Sequence, residues 1–459
     1  MRDLVIRGGT VVTAGSLARA EVGIDGGAIV QVGGSQRGRR EIDASGRYVL
    51  PGGVDVHVHF SPFKRPEPGA ELQVDDFWTG SQAALAGGIT TIGNMVHQWQ
   101  GETLHDAIDR DMGAARRDAA VDYILHPVLS DPTGDAASEV AQLAAEGHGT
   151  LKLFLIHEAF DKHVDLYLDA MHVAGARGML TLIHCEDGPL IRFLRRRLIA
   201  AGQKSAEYYP DSRPDYTEAV ATARAIAYAR ATGAPIYIVH LASAAALAEC
   251  RRARAEGLPV YVETRPLYLY LTRERFSEPD GAKYVGNPPL RDAADVAAMW
   301  DGLRSGDVQC VCSDHAPWTL RQKLDPALDV STLRAGVSDL ETLMPMLFSA
   351  GVRTGRLSIE TFVAVTSTNP AKLFGLYPQK GTIAPGADAD LVVWDPAALR
   401  TVDGRTMYSN ARYTVYDGTE VSGWPAVTVS RGEVVFENGK VTAERGRGRW
   451  LRPTARIQG

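Results

Sequence analysis

What this sequence lacks excludes several classes of protein. It has no run of about eighteen apolar residues, the length that spans a bilayer. Its first residues, MRDLVIRGGTVV, form a β-type run with charges in it and lack the apolar stretch of a signal peptide. Basic residues gather between Arg192 and Arg197, in a pattern typical of a solvated helix face, and the net charge is -6. We therefore expect a cytoplasmic protein that has neither a membrane nor a nucleic acid as its partner.

Cysteine is scarce as well. The spacing of the four cysteines matches no disulfide framework, and three of them lie in or at the end of apolar strand-like runs; they are Cys185, Cys250, Cys310 and Cys312. Such positions are typical of reduced thiols in a protein core. A Gly-rich dinucleotide fingerprint after an early strand is missing too, which disfavours a nucleotide-binding doubly wound sheet.

The pattern that is present is a regular alternation of strands and helices. The 459 residues, 45% hydrophobic and 23% charged, suit one large globular domain with an appendage, or two to three domains. The predicted strands are 54–59, 88–95, 121–129, 150–156, 179–185, 235–241, 259–265 and 308–314. The predicted helices include 75–87, 103–119, 163–177, 216–232, 243–256 and 292–305. This α/β alternation predicts a parallel sheet, and eight strands close a (β/α)8 TIM barrel; an open doubly wound sheet is the alternative.

Both ends of the chain have β-type sequence instead. Residues 1–50 alternate short β-runs with Gly-rich turns, of which Asp25-Gly26-Gly27 indicates a hairpin. After a long loop, 315–340, and two helices, β-type runs return. We expect residues 1–50 and 380–459 to form one small β-sandwich beside a barrel of residues 51–379. The last residues, GRGRWLRPTARIQG, are predicted to be an extended arm.

Six groups able to bind a metal lie toward the C-terminal ends of the predicted strands. In such a barrel the C-terminal ends of the strands meet at one mouth, where active sites are built. The groups found there are His57, His59, Lys152, His184, His240 and Asp314. His57 and His59 are alternate residues of one strand and therefore point to the same side. Each residue alone has a plainer explanation, such as a hydrogen-bonded core histidine or, for Asp314, a turn former, but six together favour a metal site.

Lys152 is the unusual member of this set. Desolvation and repulsion both disfavour an ammonium beside divalent cations. A neutral lysine reacts with carbon dioxide, and the resulting carbamate is an anion whose two oxygens can bridge two metals. Two divalent ions bring a charge of +4, from which the carbamate, Asp314 and a bridging hydroxide remove three. The alternative is a Lys152 side chain that extends to the barrel rim.

The motifs that carry these residues are HVHF, TLKLFL, LIHCEDG, IVHLAS and VCSDHAP. In this order and spacing they resemble the amidohydrolase superfamily, in its cyclic-amidase branch of hydantoinases, dihydropyrimidinases, allantoinases and dihydroorotases. The resemblance covers nearly the whole chain, and TSTNPAKLFGLYPQKGTIAPGADADLVVWDP and GWPAVTVSRGEVVFENG are most similar to hydantoinases and dihydropyrimidinases. It implies hydrolysis of a cyclic amide or imide C–N bond, a β-sandwich built from both termini, and a homotetramer or homodimer.

The resemblance also implies roles for the site residues. The ligands of one zinc ion would be His57, His59 and Asp314, those of the second His184 and His240, with carboxylated Lys152 bridging the two. Asp314 would take a proton from the attacking hydroxide and pass it to the leaving nitrogen.

Three positions are candidates for substrate contacts. His157 stands five residues after Lys152, where hydantoinases have a tyrosine, and it either donates a hydrogen bond or turns to solvent. Asn287, in GNPPLR, replaces their serine. Dihydroorotases have an arginine two residues after the second histidine of the first motif; here that residue is Ser61, and Arg65 would have to reach in from the loop.

Other functions fit parts of the same pattern. An allantoinase or dihydroorotase would use the same ligands on a different ring. A non-catalytic assembly protein related to dihydropyrimidinases would keep the fold but lack ligands, whereas all six are present. A mononuclear deaminase of the superfamily would lack the lysine found at Lys152.

Overall fold

A computed structural model describes residues 1–453, so the end of the predicted arm, 454–459, lies outside the described residues. Seven strands open the chain. They are β1 (Arg2–Arg7), β2 (Thr10–Thr13), β3 (Ser16–Arg19), β4 (Val22–Asp25), β5 (Ala28–Val32), β6 (Gly38–Asp43) and β7 (Tyr48–Pro51). The predicted hairpin joins β4 to β5, because Asp25 pairs with Ala28 across a two-glycine turn of positive φ.

Eight parallel strands follow and form the barrel. They are β8 (Gly53–Val58), β9 (Ile89–His97), β10 (Asp122–Val128), β11 (Thr150–Phe154), β12 (Leu180–His184), β13 (Ile236–Ile238), β14 (Val260–Thr264) and β15 (Cys310–Val311). Each strand pairs with its neighbours in chain order. The two ends of the sheet meet where Val58 bridges His315 and the His59 N–H donates to the His315 carbonyl at 2.9 Å. The predicted (β/α)8 barrel is thereby confirmed, although its last strand is shorter than predicted.

The predicted helices are all present, and their ends differ from the prediction by at most two residues. Those between the barrel strands are α1 (Phe77–Ala86), α2 (Leu104–Asp118), α3 (Ala136–Glu146), α4 (Glu158–Lys162), α5 (Val164–Ala176), α6 (Gly188–Ala200), α7 (Asp215–Thr232), α8 (Ala244–Ala255), α9 (Leu267–Tyr270) and α10 (Ala293–Ser305). Capping boxes at Asp76 and Thr103 start α1 and α2. Helices α7 and α10 end at Gly233 and Gly306, both left-handed.

Four shorter helices follow β15. They are α11 (Leu320–Lys323), α12 (Leu343–Leu347), α13 (Ile359–Val363) and α14 (Asn369–Leu373). Helix α12 continues in a π-helical turn, Phe348–Val352, and the π-helical turn Ala364–Thr368 joins α13 to α14. Each of the two predicted helices before Leu376 is therefore one continuous helical segment that contains a π-helical turn.

Both termini contribute to two further sheets. The C-terminal strands are β16 (Leu391–Thr401), β17 (Glu420–Ser430), β18 (Glu433–Glu437) and β19 (Lys440–Val441). One sheet has the order β5-β4-β1-β6 and the other β19-β18-β17-β16-β7-β2-β3. Strand β16 pairs antiparallel with β7, as Val393 with Val49, and one buried cluster contains Leu4 and Ile6 of the first sheet with Val49 and Val393 of the second. The two sheets therefore pack face to face, which confirms the predicted β-sandwich.

The C-terminal segment seals the N-terminal end of the barrel. Leu451 packs with the residues that fill the barrel interior, and its N–H donates to the Tyr123 carbonyl at 2.8 Å. The four cysteines are buried and free, as predicted. Within residues 1–453, no helix is long and apolar enough to cross a membrane. The opposite, C-terminal end of the barrel carries the predicted site.

Candidate metal centre

The six predicted ligands lie at the C-terminal ends of the barrel strands, and all are buried. Two of them have an unusual backbone, since His240 and Asp314 have φ values of 40° and 49°. For residues other than glycine, this left-handed conformation costs on the order of 1–2 kcal/mol. Such strain persists where the surrounding structure enforces it, which is typical of functional sites.

One part of the cluster contains His57, His59 and Asp314. The Asp314 Oδ1 atom is 3.2 Å from His57 Nε2 and 2.9 Å from His59 Nε2. One donor atom of each residue lies within 4.8 Å of the other two. Imidazole and carboxylate donors at this spacing can share one divalent ion.

The second part contains His184 and His240. His184 Nδ1 lies 2.9 Å from His240 Nε2, and the His240 ring stacks on that of His57 with centroids 5.4 Å apart. The two parts are therefore contiguous. Burial lowers the pKa of His59 to about 4, and it also lowers the pKa of His184 and of His240. These three imidazoles are thus neutral, the form that binds metals.

Lys152 has the surroundings of a neutral amine. Its Nζ atom is buried and, within residues 1–453, has no hydrogen-bond partner. Burial lowers the pKa of Lys152 to about 7, although Glu263 and Asp314 act in the opposite direction. In its protonated form Lys152 would lower the pKa of His59 and of His240, after burial and the neighbouring histidines, so its amine lies near both parts of the cluster.

Two buried carboxylates outside the predicted set orient the imidazoles of His57 and His184, and one of them also binds the backbone of His240. Glu263 Oε1 accepts from His57 Nδ1 at 2.7 Å and from the His240 backbone N–H at 2.9 Å, and Glu186 Oε2 lies 2.8 Å from His184 Nε2. A carboxylate on one ring nitrogen fixes the tautomer and leaves the lone pair of the other for a metal. The free lone pairs are then on His57 Nε2 and His184 Nδ1. The sequence contains a signal for Glu186, which follows His184 by two residues.

His59 has a histidine as its neighbour. His97, the last residue of β9, is buried and places Nε2 3.4 Å from His59 Nδ1. Burial lowers the pKa of His97 well below its usual value, so this ring is neutral as well. Phe63 packs edge-on against both rings, with centroids 4.9 Å from His59 and 4.7 Å from His97. His97 lies two residues beyond the end of the predicted strand 88–95. A search limited to the ends of the predicted strands therefore misses it.

Arg265, which follows β14, holds the carboxylate of the cluster. Its guanidinium is fully buried and donates to Asp314 Oδ2 at 2.9 Å and to Asp339 Oδ2 at 3.3 Å. Burial alone would raise the pKa of Asp314, but Arg265 and the imidazoles of His57 and His59 lower it well below its usual range. Asp314 is therefore a carboxylate whose Oδ1 atom faces the histidines.

A cavity of about 110 Å³ opens onto the cluster. Besides the four ligand histidines and Asp314, its lining consists of Phe63, Phe154, Asn287, Ala316, Ala335 and Gly336. Of the candidate substrate contacts, Asn287 belongs to this lining, and its Oδ1 atom accepts from the Tyr209 hydroxyl, which directs the amide N–H groups elsewhere.

The other two candidate substrate contacts lie outside the lining of the cavity. The His157 ring stacks on Phe154, with centroids 4.9 Å apart at 12°. Arg65 is exposed, with Cζ 5.8 Å from the centre of the Trp99 ring. The cavity lining therefore contains five of the six predicted ligands and Asn287, whereas Lys152, His157 and Arg65 lie outside it.

A (β/α)8 barrel that gathers imidazoles and a carboxylate at its strand ends is the framework of a metal-dependent hydrolase. The model of the amidohydrolase family matches residues 48–435, and the chain belongs to this family of enzymes. It is 38% identical over 455 residues to a D-hydantoinase of Ralstonia pickettii, and 39% identical over 455 residues to a D-phenylhydantoinase of Escherichia coli; each alignment covers 98% of both chains. A solved D-hydantoinase structure matches with a TM-score of 0.93 at 37% identity, over 98% of this chain and 99% of that one. The resemblance to the cyclic amidases is confirmed.

The residues present fit a divalent metal. The His57, His59 and Asp314 donors converge, and the buried atoms His57 Nε2 and Lys152 Nζ have no hydrogen-bond partner in the described part of the chain. Atoms of this kind are costly to bury unless another group satisfies them. A bound cation would do so for the imidazole, and carboxylation would do so for the lysine.

Proposed function

We propose that this protein hydrolyses a C–N bond of a cyclic amide or imide, of the hydantoin or dihydropyrimidine type. The proposal rests on the buried cluster of His57, His59 and Asp314 in a chain of the amidohydrolase family. It rests also on the buried Lys152 Nζ atom, which has no hydrogen-bond partner within residues 1–453. The names of the relatives support the substrate class, since they are D-hydantoinase and D-phenylhydantoinase.

In this proposal the cluster holds two divalent ions. The ligands of one are His57, His59 and Asp314, those of the other His184 and His240, and Lys152 bridges them after it has reacted with carbon dioxide. The lowered pKa of Lys152, about 7, supports this step, because the neutral amine is the nucleophile. We expect zinc, although imidazole and carboxylate ligands also suit other first-row ions.

When bound, such ions supply an activated water and polarise the substrate carbonyl. Asp314 then carries a proton from the attacking water to the leaving nitrogen. Because Oδ1 faces His57 and His59, the proton is held at Oδ2, which also accepts from Arg265. The low pKa of Asp314 makes this protonated state short-lived and favours transfer to the leaving group.

The ring would be oriented by the rest of the cavity. Asn287, whose Oδ1 atom accepts from Tyr209, would donate its amide N–H to a ring carbonyl. Phe63 and Phe154 offer apolar surface to a ring substituent. His157 and Arg65 are proposed as outer contacts, one stacked on Phe154 and the other on the exposed loop. As the resemblance implies, we also propose a homotetramer or homodimer.

The test is a substrate panel of hydantoin, dihydrouracil, allantoin, dihydroorotate, phthalimide and succinimide, followed by loss of ring absorbance. We expect opening of hydantoin or dihydrouracil. Activity on dihydroorotate alone, or on allantoin alone, would replace this assignment with one of those two activities.

Metal analysis of the same sample separates an enzyme from an assembly protein. Well under one ion per chain, after expression with zinc and bicarbonate, would favour the non-catalytic assembly protein.

A further inference from the structure

Lys323, the last residue of α11, is a fully buried amine that contacts three backbone carbonyls. Its Nζ atom donates to the carbonyls of Val285 at 2.6 Å, Arg334 at 2.6 Å and Gly336 at 3.0 Å. The three acceptors match the three N–H groups that the amine has when it is protonated. Burial, together with the charges of Arg265 and Arg334, lowers the pKa of Lys323 well below its usual value, whereas the carbonyl contacts act in the opposite direction. A side chain buried in this way holds together the two segments that supply the carbonyls.

Those two segments form part of the cavity. Asn287, Ala335 and Gly336, which we call the substrate wall, line it, and each lies within two residues of a carbonyl that Lys323 binds. The segments are also bonded directly, because the Gly336 N–H donates to the Val285 carbonyl at 3.0 Å. Lys323 itself lies outside the lining of this cavity.

A second side chain supports the same wall. Trp318 Nε1 donates to the Ala335 carbonyl at 2.9 Å. The three successive carbonyls of residues 334–336 are therefore all bound by side chains from the segment that contains α11. The part of the wall formed by Ala335 and Gly336 is therefore held through its backbone carbonyls.

The wall also packs closely against the metal cluster. Gly336 has a φ of +116°, and a Cβ atom there would lie 2.2 Å from the carbonyl oxygen of Ala316. Ala316 follows the ligand Asp314 by two residues. A displacement of the wall would therefore change the space between Asn287 and the ligands, which is the space that a ring must occupy.

We propose that Lys323 is a positioning residue that fixes the substrate wall relative to the metal cluster and so determines how tightly the cavity holds a ring. For ring binding, this inference rests on the proposed function. The placement of the wall by Lys323 stands independently of it, because it depends on the three carbonyl contacts alone.

The test compares Lys323→Met with Lys380→Met. Lys380 is also fully buried, but it binds Asp122 and Asp390 at 2.6 Å each, and Asp122 begins β10 at the opposite end of the barrel. For Lys323→Met we expect KM to rise about tenfold or more, because misplaced binding groups weaken binding of the substrate ring. We expect kcat to change less than threefold and the metal content to stay the same. For Lys380→Met we expect lower thermal stability without that selective rise in KM.

Amide hydrogen exchange supplies a readout that needs no substrate. In Lys323→Met, peptides that contain residues 285–287 and 334–336 should exchange faster, whereas in Lys380→Met they should not. Unchanged exchange of these peptides in Lys323→Met would overturn the proposal. An unchanged KM would overturn it too, provided that Lys323→Met is active. If the wild type opens no ring of the panel, the proposed function fails, while the exchange comparison still decides the role of Lys323.

Trp318→Phe provides a milder variant should Lys323→Met not fold. It removes the indole N–H that donates to the Ala335 carbonyl and keeps a smaller aromatic ring at this position. Faster exchange limited to residues 334–336 would support the positioning role of this segment, and exchange like that of the wild type would contradict it.

Discussion

Replacing Glu263 with Gln should weaken metal binding without unfolding the protein. Glu263 is fully buried, and one oxygen accepts from both His57 Nδ1 and the His240 N–H. Gln has the same shape and keeps a carbonyl oxygen, so both acceptor contacts can persist. What is lost is the negative charge that orients one ligand of each proposed ion.

The size of the effect follows from these two hydrogen bonds. A hydrogen bond to a charged group contributes ~1.5–3 kcal/mol, against ~0.5–1.5 kcal/mol for a neutral one. Loss of roughly 1 kcal/mol at each contact gives about 2 kcal/mol in total, or roughly a thirtyfold weaker affinity. This falls within the range of about 10–100-fold that is typical when a partner of a metal ligand is removed.

The assay is competition with a chelator of known affinity, followed by metal analysis of the protein fraction. Glu256→Gln is the control, because Glu256 is exposed and pairs with Arg230 away from the site. Metal affinity of Glu263→Gln equal to that of the wild type would refute the orienting role of Glu263. An equal loss in the control would refute it too.

Three further predictions follow from the structure. Lys152→Ala should lower kcat/KM by roughly a thousandfold, because the bridge between the ions is lost; an undiminished rate would favour a mononuclear deaminase. Burial raises the pKa of Glu341 from 4.5 to about 8, so the folded state binds the proton more tightly and stability falls as pH rises between these values. Glu341→Gln should remove this pH dependence, so that the free energy of unfolding of the variant relative to that of the wild type rises by up to about 4 kcal/mol between pH 5 and pH 8, measured by urea unfolding. If the free energy of unfolding changes with pH equally in variant and wild type, the prediction is wrong. Gly336→Ala should destabilise the fold by more than about 2 kcal/mol through its positive φ and its contact with the Ala316 carbonyl, and an unchanged melting temperature would disprove that contact.

The barrel and its ligands were predictable because their signals are local. An apolar run followed by a polar strand end marks a barrel position, and His57, Lys152 and His184 each lie on such a run. Parallel strands then bring residues far apart in the chain to one mouth. His240 and Asp314 follow the same rule, although the strands before them are short.

The supporting contacts were not predictable in the same way. Glu263 lies 206 positions from its partner His57, and Arg265 lies 49 from Asp314. Lys323 belongs to α11, a helix of four residues, which is too short to show a helical period in the sequence. The left-handed backbone at His240 is not indicated by its residue type either. Such partners depend on how strand ends and loops are arranged around the mouth, which strand periodicity does not encode.

The central claim is that Lys152 is carboxylated and joins two divalent ions. A crystal structure of the protein purified with zinc and bicarbonate tests it most directly. We predict two metal peaks and a Lys152 side chain extended by a carboxylate group, with one carboxylate oxygen in contact with each metal ion. An unmodified Lys152 beside a single ion, or beside none, would contradict it.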